Sequence, residues 1–168
     1  METVPRLRAL NRASARAAGV AVDPCLLLLR VYVSWQFLAS GWVKLADWET
    51  TRFLFAEEYH VPWLAPTVAA ALGTFGELAF PALLVVGLLA RYAAVGLSAV
   101  NAMAVIAYAH VLFAPGYEAA LAQHWLWGLA LAVLVLFGAG RWSLDGWLAR
   151  ATGMADARVG ATLTPARR

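Results

Sequence analysis

Four apolar runs, at about 25–46, 67–90, 92–113 and 123–140, limit what this chain can fold into. Each holds roughly 20 residues, the number a helix needs to cross a hydrocarbon layer about 30 Å thick. In hydrocarbon the backbone must satisfy its own hydrogen bonds, so only helices and closed barrels span it. The runs are continuous rather than alternating, which selects helices. Composition points the same way: 62% of residues are hydrophobic and 14% charged, with a mean hydropathy of +0.68. A soluble domain is nearer half apolar and a quarter charged. The expected fold is all-α, an integral membrane four-helix transmembrane bundle. Short turns between spans give it an up-down order.

The flanking segments set the expected organisation. Residues 1–22 are polar and basic, with Arg6, Arg8, Arg12 and Arg16, and read as an N-terminal tail. Arg8, Arg12 and Arg16 share a helical face, so the tail either lies on anionic lipid or sets topology. Arg30 inside the first run argues against a cleaved signal peptide. Residues 23–150 form the transmembrane domain, and the small, polar segment 151–168 is expected to be disordered. Residues 47–66 carry Trp48, Phe53, Phe55, Tyr59 and Trp63 between charges. They read as an amphipathic interfacial loop, a short helix or a partly re-entrant cap. Ten of the 13 lysines and arginines fall on the side of the two termini. The positive-inside rule then places both termini in the cytoplasm and the 47–66 loop in the periplasm. The expected location is a bacterial inner membrane, with the lipid bilayer as the first partner. No basic block interleaves with aromatics, so no nucleic acid is expected as a partner. The lone Cys25 excludes an internal disulfide or a CxxC redox pair.

Polar groups inside the runs are costly and need partners or a purpose. Glu77 lies near the midplane, and four residues on, Pro81 has no amide to give its carbonyl. Gln36 and Asn101 fall at a similar level, Arg30 nearer the cytoplasmic edge, and Lys44 near the outer edge. Two readings stay open. Glu77, Gln36 and Asn101, with Arg30, form a polar clasp that holds the bundle together. Alternatively Glu77 centres a ligand or proton site, with Arg30 and Lys44 within reach. Arg30 and Lys44 also fit as snorkelling boundary residues. Histidines 110 and 124 are candidate ligands for a haem or transition metal, but their depths match poorly and no third ligand is evident. No metal site is expected. Trp35, Trp42, Trp63, Trp125 and Trp127 fit either an interfacial belt or the wall of a planar ligand such as a quinone.

The ordered motifs resemble the DoxX family. They are an arginine early in the first span, Gly41-x-x-Lys44, Gly73-x-x-Gly76-Glu77, Gly87-Leu-Leu-Ala-Arg91, and Gly138-x-Gly140-x-x-Ser143-Leu144-Asp145. Together they run over about residues 25–148. The resemblance implies a four-span bacterial inner-membrane protein. Relatives are linked to a terminal quinol oxidase, to thiosulfate:quinone oxidoreduction, and to a membrane scaffold for redox-defence enzymes. It assigns no established role to Arg30, Lys44, Glu77 or Asp145. Locally, Ser143 reads as the N-cap of a short helix, and Asp145 is placed to pair with Arg141. Two functions follow as expectations. The first is a membrane anchor or accessory subunit for a soluble redox or stress enzyme, with catalysis by the chain itself not required. The second is a quinone-linked oxidoreductase subunit, with Glu77 handling protons and Arg30 or Lys44 orienting a quinone carbonyl. A small-solute transporter, or a homo-oligomer, is the remaining reading. The absence of a catalytic constellation favours the first.

Overall fold

A computed structural model describes residues 3–153. Among them the chain is helical throughout: α1 (Thr3–Ala46), α2 (Trp48–Glu57), α3 (Pro66–Val86), α4 (Ala90–Ala107), α5 (Ala109–Leu112), α6 (Glu118–Phe137) and α7 (Leu144–Ala151). Four helices are long and apolar enough to cross a membrane: α1 from Ala18 onwards, α3, α4 and α6. This is the all-α, four-span membrane protein that the apolar runs predict. In the bundle α1 packs along α3, α3 along α4 and α4 along α6, and α1 closes the ring against α6. The outward faces carry Trp35, Trp42, Leu72, Phe75, Leu129 and Leu136, all exposed. A soluble protein would bury such a surface, whereas lipid solvates it.

Helix boundaries depart from the hydropathy pattern where backbone chemistry overrides it. The segment read as a tail is helical from Thr3 and continuous with the first span. Its alternation of alanine and arginine favours helix even though it is polar. The 47–66 loop is half helix. Asp47 caps α2 by accepting from the Thr50 amide at 3.0 Å, and Phe55 packs on Ala69 and Ala70 of α3. The third apolar run breaks at Tyr108. The reason is a competing donor: the His60 amide takes the Ala107 carbonyl at 2.9 Å. The Val111 amide, which would have bonded Ala107 in a continuous helix, turns to Tyr108 instead. The fourth helix starts early, at Glu118, because the Ala-rich EAALA segment is itself a good helix former. The expectation of disorder for 151–168 falls mostly outside the described residues.

The end of the bundle away from α2 is closed by Asp145. Its Oδ1 and Oδ2 accept from the amides of Leu89 and Ala90, each at 2.9 Å. Its own amide donates to the Gly87 carbonyl at 2.9 Å. Helix α4 has no side-chain cap from its own N-cap residue, Leu89, so Asp145 satisfies its free amides from α7. The expected Asp145–Arg141 pair is replaced by this capping. The Arg141 amide bonds Asp23 Oδ1 at 2.7 Å instead, and Ser143 caps α7 by accepting from the Gly146 amide at 3.0 Å. Asp145→Ala is expected to destabilise the protein by about 2 kcal/mol, because two charge-assisted bonds are lost at a partly solvated site. Asp145→Asn, which keeps one acceptor, should recover roughly half of that loss. Thermal unfolding of the detergent-solubilised variants measures both.

Candidate functional site

The bundle is not packed evenly along its length. Leu26, Val33, Leu84, Ala93, Ala94, Leu97, Leu131 and Leu134 fill one stretch of it with buried apolar side chains. Towards α2 the packing opens into a cavity of about 510 Å³. Its walls come from α1, α3, α4 and α6, and Phe55, Tyr59 and Val61 cover it from the α2 side. Most of the lining is aliphatic or aromatic. The polar exceptions are Gln36, Ser40, Lys44, Tyr59, Glu77, Tyr108 and His124.

The centre of the polar group is an ion pair. Lys44 Nζ donates to Glu77 Oε1 at 2.9 Å, to Glu77 Oε2 at 2.7 Å and to Ser40 Oγ at 2.8 Å. Those three bonds use all of the hydrogens of the ammonium group. Ser40 and Lys44 are four apart on α1, so they share a helical face. Gly41 makes the reach possible. A Cβ there would sit 2.9 Å from Leu78 Cγ and 3.0 Å from Glu77 Cβ, so only a glycine lets α1 approach α3 this closely. Glu77 stands halfway along α3, with Pro81 one turn on inside the same helix. The ammonium thus leaves the helix end and turns inward to the carboxylate rather than out to solvent.

A second polar pair joins α4 to α6, and its His124 lines the same cavity. Asn101 Nδ2 donates to the His124 backbone carbonyl at 3.0 Å, and Asn101 Oδ1 lies 2.9 Å from His124 Nδ1. A carbonyl can only accept, so the amide nitrogen must face it and the amide oxygen must face the ring. His124 Nδ1 therefore carries a hydrogen. The ring also packs on Trp127 with centroids 5.0 Å apart, and Trp127 packs on Phe37 at 5.3 Å. At the cover, burial beside Tyr108 pushes the Tyr59 hydroxyl above its ordinary pKa, so it stays protonated.

The single clasp of Glu77, Gln36, Asn101 and Arg30 does not form. Asn101 belongs to His124, and Gln36 lines the cavity without a hydrogen bond among the described residues. Arg30 is at the other end of the bundle. It is 1% exposed and donates from Nη2 to the Trp142 carbonyl at 2.7 Å. There it faces the end of α3, where helix carbonyls concentrate negative potential, with Asp145 close by. It neither snorkels nor reaches Glu77. Nor do His110 and His124 converge: the His110 ring lies 4.7 Å from that of His60, centroid to centroid. Among the described residues no three metal-ligating side chains gather. Of the tryptophan set, Trp35, Trp42, Trp63 and Trp125 face outward, and Trp127 alone lines the cavity. Ser40, Tyr59, Tyr108 and Trp127 were not legible as a group. The one signal that the sequence carries for them is the four-residue spacing of Ser40 and Lys44, which puts both on one helical face.

No curated protein and no solved structure matches the chain significantly. One family model does match, over residues 25–111, just over half of the sequence. The matched stretch includes Lys44, Glu77 and Asn101 and stops short of His124 and the Gly138–Asp145 segment. Four membrane helices, the Gly41-x-x-Lys44 contact with Glu77, and this match together make the chain a member of the DoxX family.

Proposed function

We propose that this protein is an accessory membrane subunit of a redox complex, and that its cavity holds the head group of a quinone-class ligand. The observation that carries this is the cavity itself. Its 510 Å³ lies within the range of small-molecule sites, and its wall is apolar apart from seven polar side chains. A lipophilic ring with one or two oxygens fits that pattern. A polar solute does not. The ion pair fixes Glu77 in place while leaving further lone pairs on its oxygens open to the cavity. Arg30 has no part in the site, because it lies at the opposite end. Lys44 positions Glu77 rather than a ligand carbonyl, since its hydrogens are all committed.

The excess of lysine and arginine on the side of the termini supports both termini in the cytoplasm of a bacterial inner membrane, and on that reading α2 and the cavity lie towards the periplasm. A purely structural anchor is the second reading, supported by the exposed amphipathic α7 with Trp147 and Leu148 at the opposite end. Mass spectrometry of the protein extracted gently from native membrane separates the two. A quinone-class molecule at about one per chain is the expected result. A stoichiometric soluble enzyme with no lipophilic ring compound would overturn the cavity's role and leave the anchor.

A further inference from the structure

Two of the chain's three histidines meet at the α2 end of the bundle. His60 lies in the connection from α2 to α3, and His110 lies in α5, just past the break at Tyr108. The bond from the His60 amide to the Ala107 carbonyl, 2.9 Å, ties the two segments together. The two rings are 4.7 Å apart between centroids and tilted by 52°. Both residues are exposed, and among the described residues neither ring makes a hydrogen bond. Their ring nitrogens are therefore free. The exposed carboxylates Asp47, Glu49, Glu57, Glu58 and Glu118 surround this end, against the one exposed cation Arg52 among the described residues there, since Lys44 is paired with Glu77. Such an excess of negative charge raises the local concentration of cations.

We propose that His60 and His110 form a binding site for a divalent late transition metal, copper(II) most tightly. An imidazole nitrogen binds such an ion at about 2.0–2.1 Å and lies about 1.1 Å from the centre of its own ring. Two rings that meet one ion at an angle of about 90–110° then have centres about 4.5–5.2 Å apart. The observed 4.7 Å lies inside that range. Imidazole selects copper, nickel and zinc over magnesium and calcium, which prefer oxygen, and copper(II) stands highest in the series. Among the described residues no third metal-ligating side chain joins the pair, so water completes the coordination and the ion stays exchangeable. The ion links the α2–α3 connection to α5. Tyr59 and Val61 on one side of that link, and Tyr108 and Leu112 on the other, all line the cavity. Bound metal therefore fastens the cover over the cavity, whatever the cavity holds.

Copper(II) titration of the full chain, purified without a histidine tag and reconstituted in zwitterionic nanodiscs, tests this by electron paramagnetic resonance. One ion per chain, nitrogen couplings in the spectrum and a Kd of about 10 µM or tighter are expected. Zinc(II) should displace the copper only in excess, and magnesium not at all. His60→Ala and His110→Ala should each weaken binding at least about tenfold. Both residues are exposed, so the variants should keep the fold, which thermal unfolding without metal checks. Hydrogen exchange reads the fastening of the cover. Zinc(II) should slow exchange over residues 58–64 in the unaltered protein and leave it unchanged in His110→Ala, although that substitution lies on a different element. Absence of saturable copper binding by the unaltered protein overturns the site, and that measurement needs no variant to fold. So do an affinity and nitrogen couplings that persist in both folded variants. Metal bound at the two histidines without slower exchange over 58–64 overturns the fastening of the cover.

Discussion

Lys44→Met is expected to lower the stability of the bundle by about 3 kcal/mol, with a smaller loss of about 2 kcal/mol for Glu77→Leu. The double variant should return to within about 1 kcal/mol of the unaltered protein, because two apolar chains of similar volume replace a pair whose attraction mostly offsets its desolvation. The asymmetry between the single variants follows from position. Glu77 has a short side chain midway along α3 and is nearly enclosed, its side chain 11% exposed. Without Lys44 its short side chain cannot reach the membrane interface. Lys44 sits two residues before the end of α1, on a four-carbon stem. Without Glu77 it can turn outward to the interface and recover hydration. Denaturant titration of the four proteins in one detergent gives the cycle. Independent effects, with the double variant as unstable as the sum of the singles, would sink the view that the two charges act as a unit. Ligand binding is a separate readout. Even where the double variant is stable, it lacks Glu77 and should bind the proposed quinone-class ligand more weakly.

The fold was largely legible because hydropathy and length decide it. Four runs near the thickness of the bilayer leave little choice of architecture. The site was legible only in its parts. Glu77 stood out as a carboxylate in an apolar run, but a lysine near a helix end satisfies the sequence equally well pointing inward or outward. What decides is Gly41, whose importance lies in a contact with α3 that spacing alone cannot show. Arg30 reads from its side-chain length as able to lean towards Glu77 or to snorkel, yet its partner is a backbone carbonyl 112 residues away. Any residue has a carbonyl, so no side-chain pattern marks such a partner. Asn101 and Gln36 were grouped with Glu77 because depth was the only coordinate available. Azimuth around the bundle separates Asn101, and it follows from packing rather than from one-dimensional position. The break at Tyr108 was invisible for a related reason: it depends on the His60 amide, which belongs to a different part of the chain.

The end of the bundle opposite the cavity carries the other large effect. Gly87→Ala is expected to destabilise the protein by about 4 kcal/mol, from left-handed strain of about 1 kcal/mol and an overpacking cost of about 3 kcal/mol. Gly87 has φ +71 and terminates α3 in the left-handed region, where a Cβ meets its own backbone. A Cβ would also overlap Arg30 Nη1 and Ser143 Cβ. Neither neighbour can yield cheaply. Arg30 is enclosed, with Nη2 held by the Trp142 carbonyl, and Ser143 is tied through its hydroxyl to Gly140 and Gly146. The Gly87 carbonyl also accepts from the Asp145 amide, so a shift at 87 pulls on the cap of α4. A D-alanine at 87, introduced by semisynthesis, relieves both causes together. It accepts positive φ without strain and directs its methyl away from where an L side chain would point. Recovery of most of the lost stability with D-alanine, read by thermal unfolding, is the expected outcome. If Gly87→Ala unfolds at the temperature of the unaltered protein, then Arg30 and Ser143 do not pack against Gly87 closely enough to exclude a methyl group.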